Sequence, residues 1–177
     1  MTALRNHLCT MARYHAWATR KLLDEHVAQL PEADYRRDCG LFFKSLHGTL
    51  NHLLVGDALL WFPRLAEGVS PKIKLDMEAE PDRPRLRQRL LDAVAVWEPF
   101  VAHLSGERLA GELHYTTTQG VPTSLPYAAT LAHALNHGTH HRGQITAALT
   151  MMGHPSPEID LVWMLQAERR QQEQQQA

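Results

Sequence analysis

The sequence predicts an all-α protein, a four-helix bundle of the up-down type with long loops. Three observations predict it. Four long stretches repeat apolar residues with a helical period, one of them is apolar almost all round, and β-type patterning is confined to one short segment.

The first stretch, residues 2–29, spaces Leu4, Leu8, Met11, Ala12, Ala18, Leu22 and Leu23 as the buried stripe of an amphipathic helix. Pro31 and the polar run "EADYRRDCG" end it. The second, residues 41–66, carries Phe42, Phe43, Leu46, Leu50, Leu53, Leu54, Leu59, Leu60 and Trp61 on nearly every face, the mark of a central helix. The Gly- and Pro-containing "EGVSPKIKLDMEAEPDRP" then reads as a long loop. A third helix over 84–104 presents Leu86, Leu90, Leu91, Val94, Val96 and Trp97, with Pro99 weakening its last turns. In "GELHYTTTQGVPTSLPY", β-branched and aromatic residues flank a glycine turn, which predicts a short hairpin. The fourth helix, 128–152, stops at Gly153 and Pro155, and a short fifth follows from 157.

A chain of 177 residues suits one domain, here 1–170, followed by a polar tail, 171–177, that is expected to fray. The formal net charge is -1, so no overall field draws nucleic acid or an anionic membrane. Arg83, Arg85, Arg87 and Arg89 spread around a helix between Asp82 and Asp92 and read as a solvated surface. Cys9 and Cys39 have no metal-knuckle or disulfide spacing. The start "MTALRNHLCTMARYHAW" has no apolar signal region, and no run approaches a membrane span, so a cytoplasmic location is expected. No nucleophile motif, phosphate loop or nucleic-acid signature is present.

Histidine is 12 of the 177 residues, and a third of these fall within "LAHALNHGTHHRGQI", residues 131–145. Residues four apart on a helix stand one above the other, so both His133 with His137 and His137 with His141 can reach a common point. The intervening Gly138, Thr139 and His140 lack the glutamate of a zinc-peptidase HExxH helix, which disfavours a peptidase. Leu131, Ala134, Leu135, Ile145, Leu149 and Met152 define the buried arc. His141 falls at its margin and His137 just beyond, whereas His133 and His140 point to a wetter face. The pair His137 and His141 is therefore preferred as ligands of a metal at the core's rim. Gln144, one turn further, is placed to support a ligand or a bound water. Arg142 falls inside the arc, which predicts a buried ion pair or a subunit contact. Two imidazoles do not complete a site for a zinc-like ion. A third must come from another helix, and the second offers His47 and His52, between which an all-round apolar helix cannot choose. His7, His15, His26, His103, His114 and His154 fall on ends, loops or polar faces and read as structural.

"TLNHLLVGDALLW" followed by "HALNHGTHHRGQI" resembles the DinB/YfiT-like superfamily of bacterial metal-binding four-helix bundles. "MARYHAWATRKLLD" is similar to that family's first helix and "GHPSPEIDLVWML" to its closing segment. The resemblance implies a ligand set of one histidine from the second helix, which falls on His52, and the pair His137 and His141. Trp61 stands one residue later than in the usual pattern. The resemblance further implies a homodimer and a bound divalent metal, and some members use low-molecular-weight thiols in transferase or isomerase reactions. Histidine-only ligation suits zinc, nickel, copper or iron, with zinc or nickel the foremost expectation. Three neutral imidazoles leave coordination positions open, as a catalytic rather than a structural site does. The expected function is therefore a metal-dependent enzyme that activates a small thiol, or water, toward a small-molecule substrate. Asp57 and His140 join Gln144 as candidates to support the site, while Asp57 and Trp61, one and two turns beyond His52, read first as core residues and second as pocket residues. The rival expectation is a non-catalytic, stress-related metal-binding bundle that acts through a partner.

Overall fold

In the computed structural model, which describes residues 2–176, the predicted all-α architecture is present. Helix α1 spans Ala3–Lys21, its first turn capped by the Thr2 hydroxyl, which accepts from the Arg5 N–H at 3.3 Å. It continues through a π turn, Leu22–His26, and a 3-10 turn, Val27–Gln29, before Pro31. After the short α2, Glu32–Arg36, the chain enters α3, Leu46–Leu54. The sequence predicts this helix from residue 41. Gly40 and Lys44, however, both adopt left-handed backbone (φ 79° and 68°), which no right-handed helix accommodates. The helix therefore begins at the Ser45 cap, whose hydroxyl accepts from the Gly48 N–H.

Beyond Leu54 the same rod widens into π turns over Val55–Trp61 and Pro63–Glu67. Pro63 gives one cause: it has no N–H for the preceding turn, and its ring crowds that turn's carbonyl. The third predicted helix is likewise two, α4 (Arg83–Ala95) and α5 (Trp97–His103), because Pro99 cannot donate to the Ala95 carbonyl. After α6, Gly106–Ala110, strands β1 (Glu112–Thr116) and β2 (Pro122–Pro126) form the expected antiparallel hairpin, with Leu113 opposite Leu125. Helix α7 spans Tyr127–Met151. Helix α8, Leu161–Gln176, is longer than the short fifth helix expected, and the glutamine-rich end is helical and exposed through Gln176. The arginine run is only partly the solvated surface expected. Arg85 is exposed, but Arg83 donates to the Leu30 and Val27 carbonyls and ties α4 to the end of the first helix.

Helix α1 borders α4, α5 and α7, while α3 borders α4 and α7, which closes the bundle; α8 packs outside on α1. The core has two large apolar clusters, with a small third of Tyr14, Ala18 and Met164 where α8 meets α1. One large cluster gathers Leu22, Leu23, Leu46, Leu50, Leu86, Leu90, Ile145 and Leu149; the other gathers Leu8, Ala12, Trp97, Val101, Leu131 and Leu135. Each buried leucine contributes about 1.5–3 kcal/mol, so either large cluster offsets a good deal of polar burial. Between these two along α1, α3 and α7 lies a layer with His15, Thr19, His52, Asp57, His137, His141 and Arg142. This layer positions the site. Among the described residues, no helix is long and apolar enough to cross a membrane.

Candidate metal centre

His52 points from α3, and His137 and His141 from successive turns of α7, so that one ring nitrogen of each lies within 4.8 Å of the others. The Nε2 atom of His137 is 3.0 Å from that of His52 and 3.1 Å from that of His141. Gly56 makes this approach of α3 to α7 feasible: a Cβ there would stand 2.9 Å from His137 Cε1, closer than real side chains come.

The opposite ring nitrogens set the protons. His52 Nδ1 is 2.8 Å from the Leu75 carbonyl, and His141 Nδ1 is 2.7 Å from Gln144 Oε1. Both partners only accept, so both Nδ1 atoms carry hydrogen and both Nε2 atoms present lone pairs. Phe43 stacks on the His52 ring at 3.9 Å between centroids and holds it in place. Burial lowers the pKa of all three imidazoles, pushing His137 down to about 3 and His141 to about 4, and the neighbouring rings add to the effect. At neutral pH the cluster is uncharged.

Three neutral rings placed this way do not satisfy one another. His137 Nε2 carries at most one proton and can give it to only one of two lone pairs; the other contact is repulsive. A cation at the centre satisfies all three. Tetrahedral ligation with metal–nitrogen bonds of ~2.1 Å separates ligand nitrogens by about 3.4 Å, close to the spacings here. His137 Nδ1, on the side of the ring away from the cluster, is buried without a partner, as is Asp57 Oδ1. The Asp57 carboxylate acts on His137 through space and favours its charged form.

The histidine that the second helix contributes is thus His52. His47 is engaged elsewhere, with Tyr35 Oη at 3.1 Å and Glu78 at 2.7 Å. Of the expected supporting residues, Gln144 sits on His141 directly. Asp57 is fully buried, and its Oδ2 pairs with His15 Nε2 at 3.1 Å. His140 is exposed and touches the cluster only by the edge of its ring against His141, 4.8 Å between centroids. His133 is also exposed, as the face argument predicts, and packs against Trp61.

His15 is the main correction. Read from sequence as a residue of an end or polar face, it is 1% exposed, accepting on Nδ1 from Arg142 Nη1 at 2.8 Å while Nε2–H donates to Asp57. The buried partner expected for Arg142 is therefore this imidazole, with Asp57 as counter-charge behind it. Thr19 Oγ1, Thr139 Oγ1 and the Tyr14 ring also face the guanidinium, whose Nε is buried without a partner. A repeat was available to find it: Leu8, Ala12, His15, Thr19 and Leu22 follow the 4-3-4-3 spacing of one buried stripe. Unforeseen too were Phe43, the Leu75 carbonyl and Arg64. Arg64 lines a cavity of ≈ 220 Å³ with His52, Gly56, Trp61, Tyr115 and His137.

The family model for the DinB family matches residues 3–176. The chain belongs to the DinB family. A curated relative, "Protein DinB" of Bacillus subtilis (strain 168), is 25% identical over 153 residues, covering 83% of this chain and 87% of the relative. For this DinB-family chain, the match extends over the whole bundle and includes each of the three clustered histidines.

Proposed function

We propose that the protein binds one divalent metal ion, zinc or nickel, through His52, His137 and His141, and uses it to activate a small thiol or water for attack on a small electrophile. The carrying observation is the convergence of Nε2 atoms from three neutral imidazoles, at least two of them presenting lone pairs. A bound ion supplies Lewis acidity, favouring the deprotonated form of a thiol or water beside it. The chain supplies the rest. Leu75 and Gln144 hold two rings in the ligating tautomer, and Phe43 keeps the His52 ring from turning. The adjoining cavity is large enough for a small reactant, and its Trp61 and Leu60 walls limit the water around it.

The test begins with elemental analysis of protein purified without nickel affinity chromatography, expected to find one metal per chain. Metal-loaded protein is then incubated with a panel of biological thiols and monochlorobimane. Transfer that His141→Ala abolishes supports the enzyme. Stoichiometric metal with no transfer from any thiol makes the protein a metal-binding module instead.

A further inference from the structure

We propose that the cavity beside the three histidines takes a small molecule carrying a carboxylate, and that Arg64 is the residue that recognises it. This rests on the reading of the histidines as a metal centre facing that cavity, and it names the class of ligand.

Arg64 is 3% exposed, yet among the described residues no carboxylate lies within 4.0 Å of its guanidinium. Three partly buried arginines have carboxylate partners and buried Arg142 has an indirect one, although the Nε atoms of Arg142 and of half-buried Arg5 are also buried without a partner. Arg13 meets Glu98 and Glu168, Arg83 meets Glu32, Arg87 meets Asp24, and Arg142 reaches Asp57 through His15. Arg64 has one hydrogen bond, from Nη2 to the Thr116 carbonyl at 3.0 Å, and its buried Nε has none. A cation removed from water without a counter-charge is costly, and a ligand bringing a carboxylate would relieve that cost.

Its surroundings suit recognition. The guanidinium lies over the rings of Trp61 (5.0 Å) and Tyr115 (4.5 Å), which fix its plane without neutralising it. Thr117 and Thr118 of the hairpin also line the cavity. Arginine's planar fork matches a carboxylate through two parallel N–H donors. At ≈ 220 Å³ the space equals about seven waters of ~30 Å³ each, which admits a short acid and no macromolecule. His52 and His137 border the same space, so a molecule anchored at Arg64 presents its far end to the metal centre.

The experiment titrates 3-mercaptopropionate and its neutral analogue 3-mercaptopropionamide into the zinc-loaded full-length chain, followed by calorimetry. A charge-assisted pair is expected to favour the acid roughly ten- to a hundredfold. Arg64→Gln should bring that ratio close to one while zinc content, measured separately, stays at the wild-type value; Arg64→Lys should retain part of it. Equal wild-type affinities for acid and amide overturn the proposal, and this comparison stands even if the variants fail to fold. Propionate and propionamide are titrated into metal-free protein in parallel. If zinc does not bind but propionate is preferred in an Arg64-dependent way, the anion site stands and the metal reading fails. No preference in either form sinks the anion site alone.

Discussion

His15 and His141 are both buried imidazoles of one polar layer, about 1% and 6% exposed, and they are used in opposite ways. At His15 every ring atom is assigned: Nδ1 accepts from Arg142, Nε2–H donates to Asp57, and a cation and an anion are linked across a neutral ring. At His141 one nitrogen is assigned to Gln144, and the other turns a lone pair toward His137 Nε2. Burial does not distinguish the two. What distinguishes them is whether the second nitrogen meets a group that balances it. Both nitrogens of the His15 ring are satisfied within the protein, although Asp57 Oδ1 and Arg142 Nε beside it stay unpartnered. The second nitrogen of His141 has no such group, and a cation from outside would supply it.

The comparison breaks most visibly at His137. Its Nε2 stands between the other two, so His137→Ala is expected to lower zinc affinity by about a thousandfold or more, roughly one ligand's share of a structural-site binding energy. Competition with a chromophoric chelator measures it. Unchanged affinity would remove the metal centre. Arg142→Met acts on the other network. It strands the Asp57 carboxylate in the interior and should reduce unfolding free energy by about 3 kcal/mol in urea titrations, with zinc content retained. Loss of zinc with unchanged stability would mean that the two networks have been assigned the wrong way round. Gln144→Leu sharpens the contrast at smaller scale. The His141 ring loses the acceptor that fixes its tautomer, and zinc affinity should fall about ten- to a hundredfold with little change in the fold.

How far each residue was legible follows from where its partners lie. The pair His137 and His141 is readable because one helix contains both residues and the apolar arc that orients them. His52 is not, since α3 is buried on nearly every side and its periodicity points nowhere; only resemblance chose it over His47. The Leu75 carbonyl that sets its tautomer lies 23 residues away in a loop without regular structure. Arg64 gave the same signal as Arg142, a cation inside an apolar stretch, but its setting depends on a hairpin 52 residues on. Helix ends failed for local reasons. The left-handed turn at Lys44 and the missing amide of Pro99 are backbone events that hydrophobic spacing does not register.

The smallest effect tests the electrostatics of the unmatched cluster. In metal-free protein His137 and His141 titrate near pH 3 and 4, chiefly through burial, whereas an unfolded chain takes up those protons near ~6.5. Between these values the unfolded state binds more protons, so stability rises with pH; metal-free protein should lose stability as pH falls from about 6.5 toward 4. Above ~6.5 the two residues add no pH dependence, because both states are then neutral. Other groups also titrate in this window, so the informative quantity is a difference. His137→Ala should show a shallower fall in Tm than wild type, by an amount of order 2–4 °C for each kcal/mol of linkage removed. Parallel curves for the two proteins would mean that His137 is protonated as readily when folded as when unfolded. Its nitrogen would then be open to water, and the three rings would not form the uncharged cluster on which a bound cation depends.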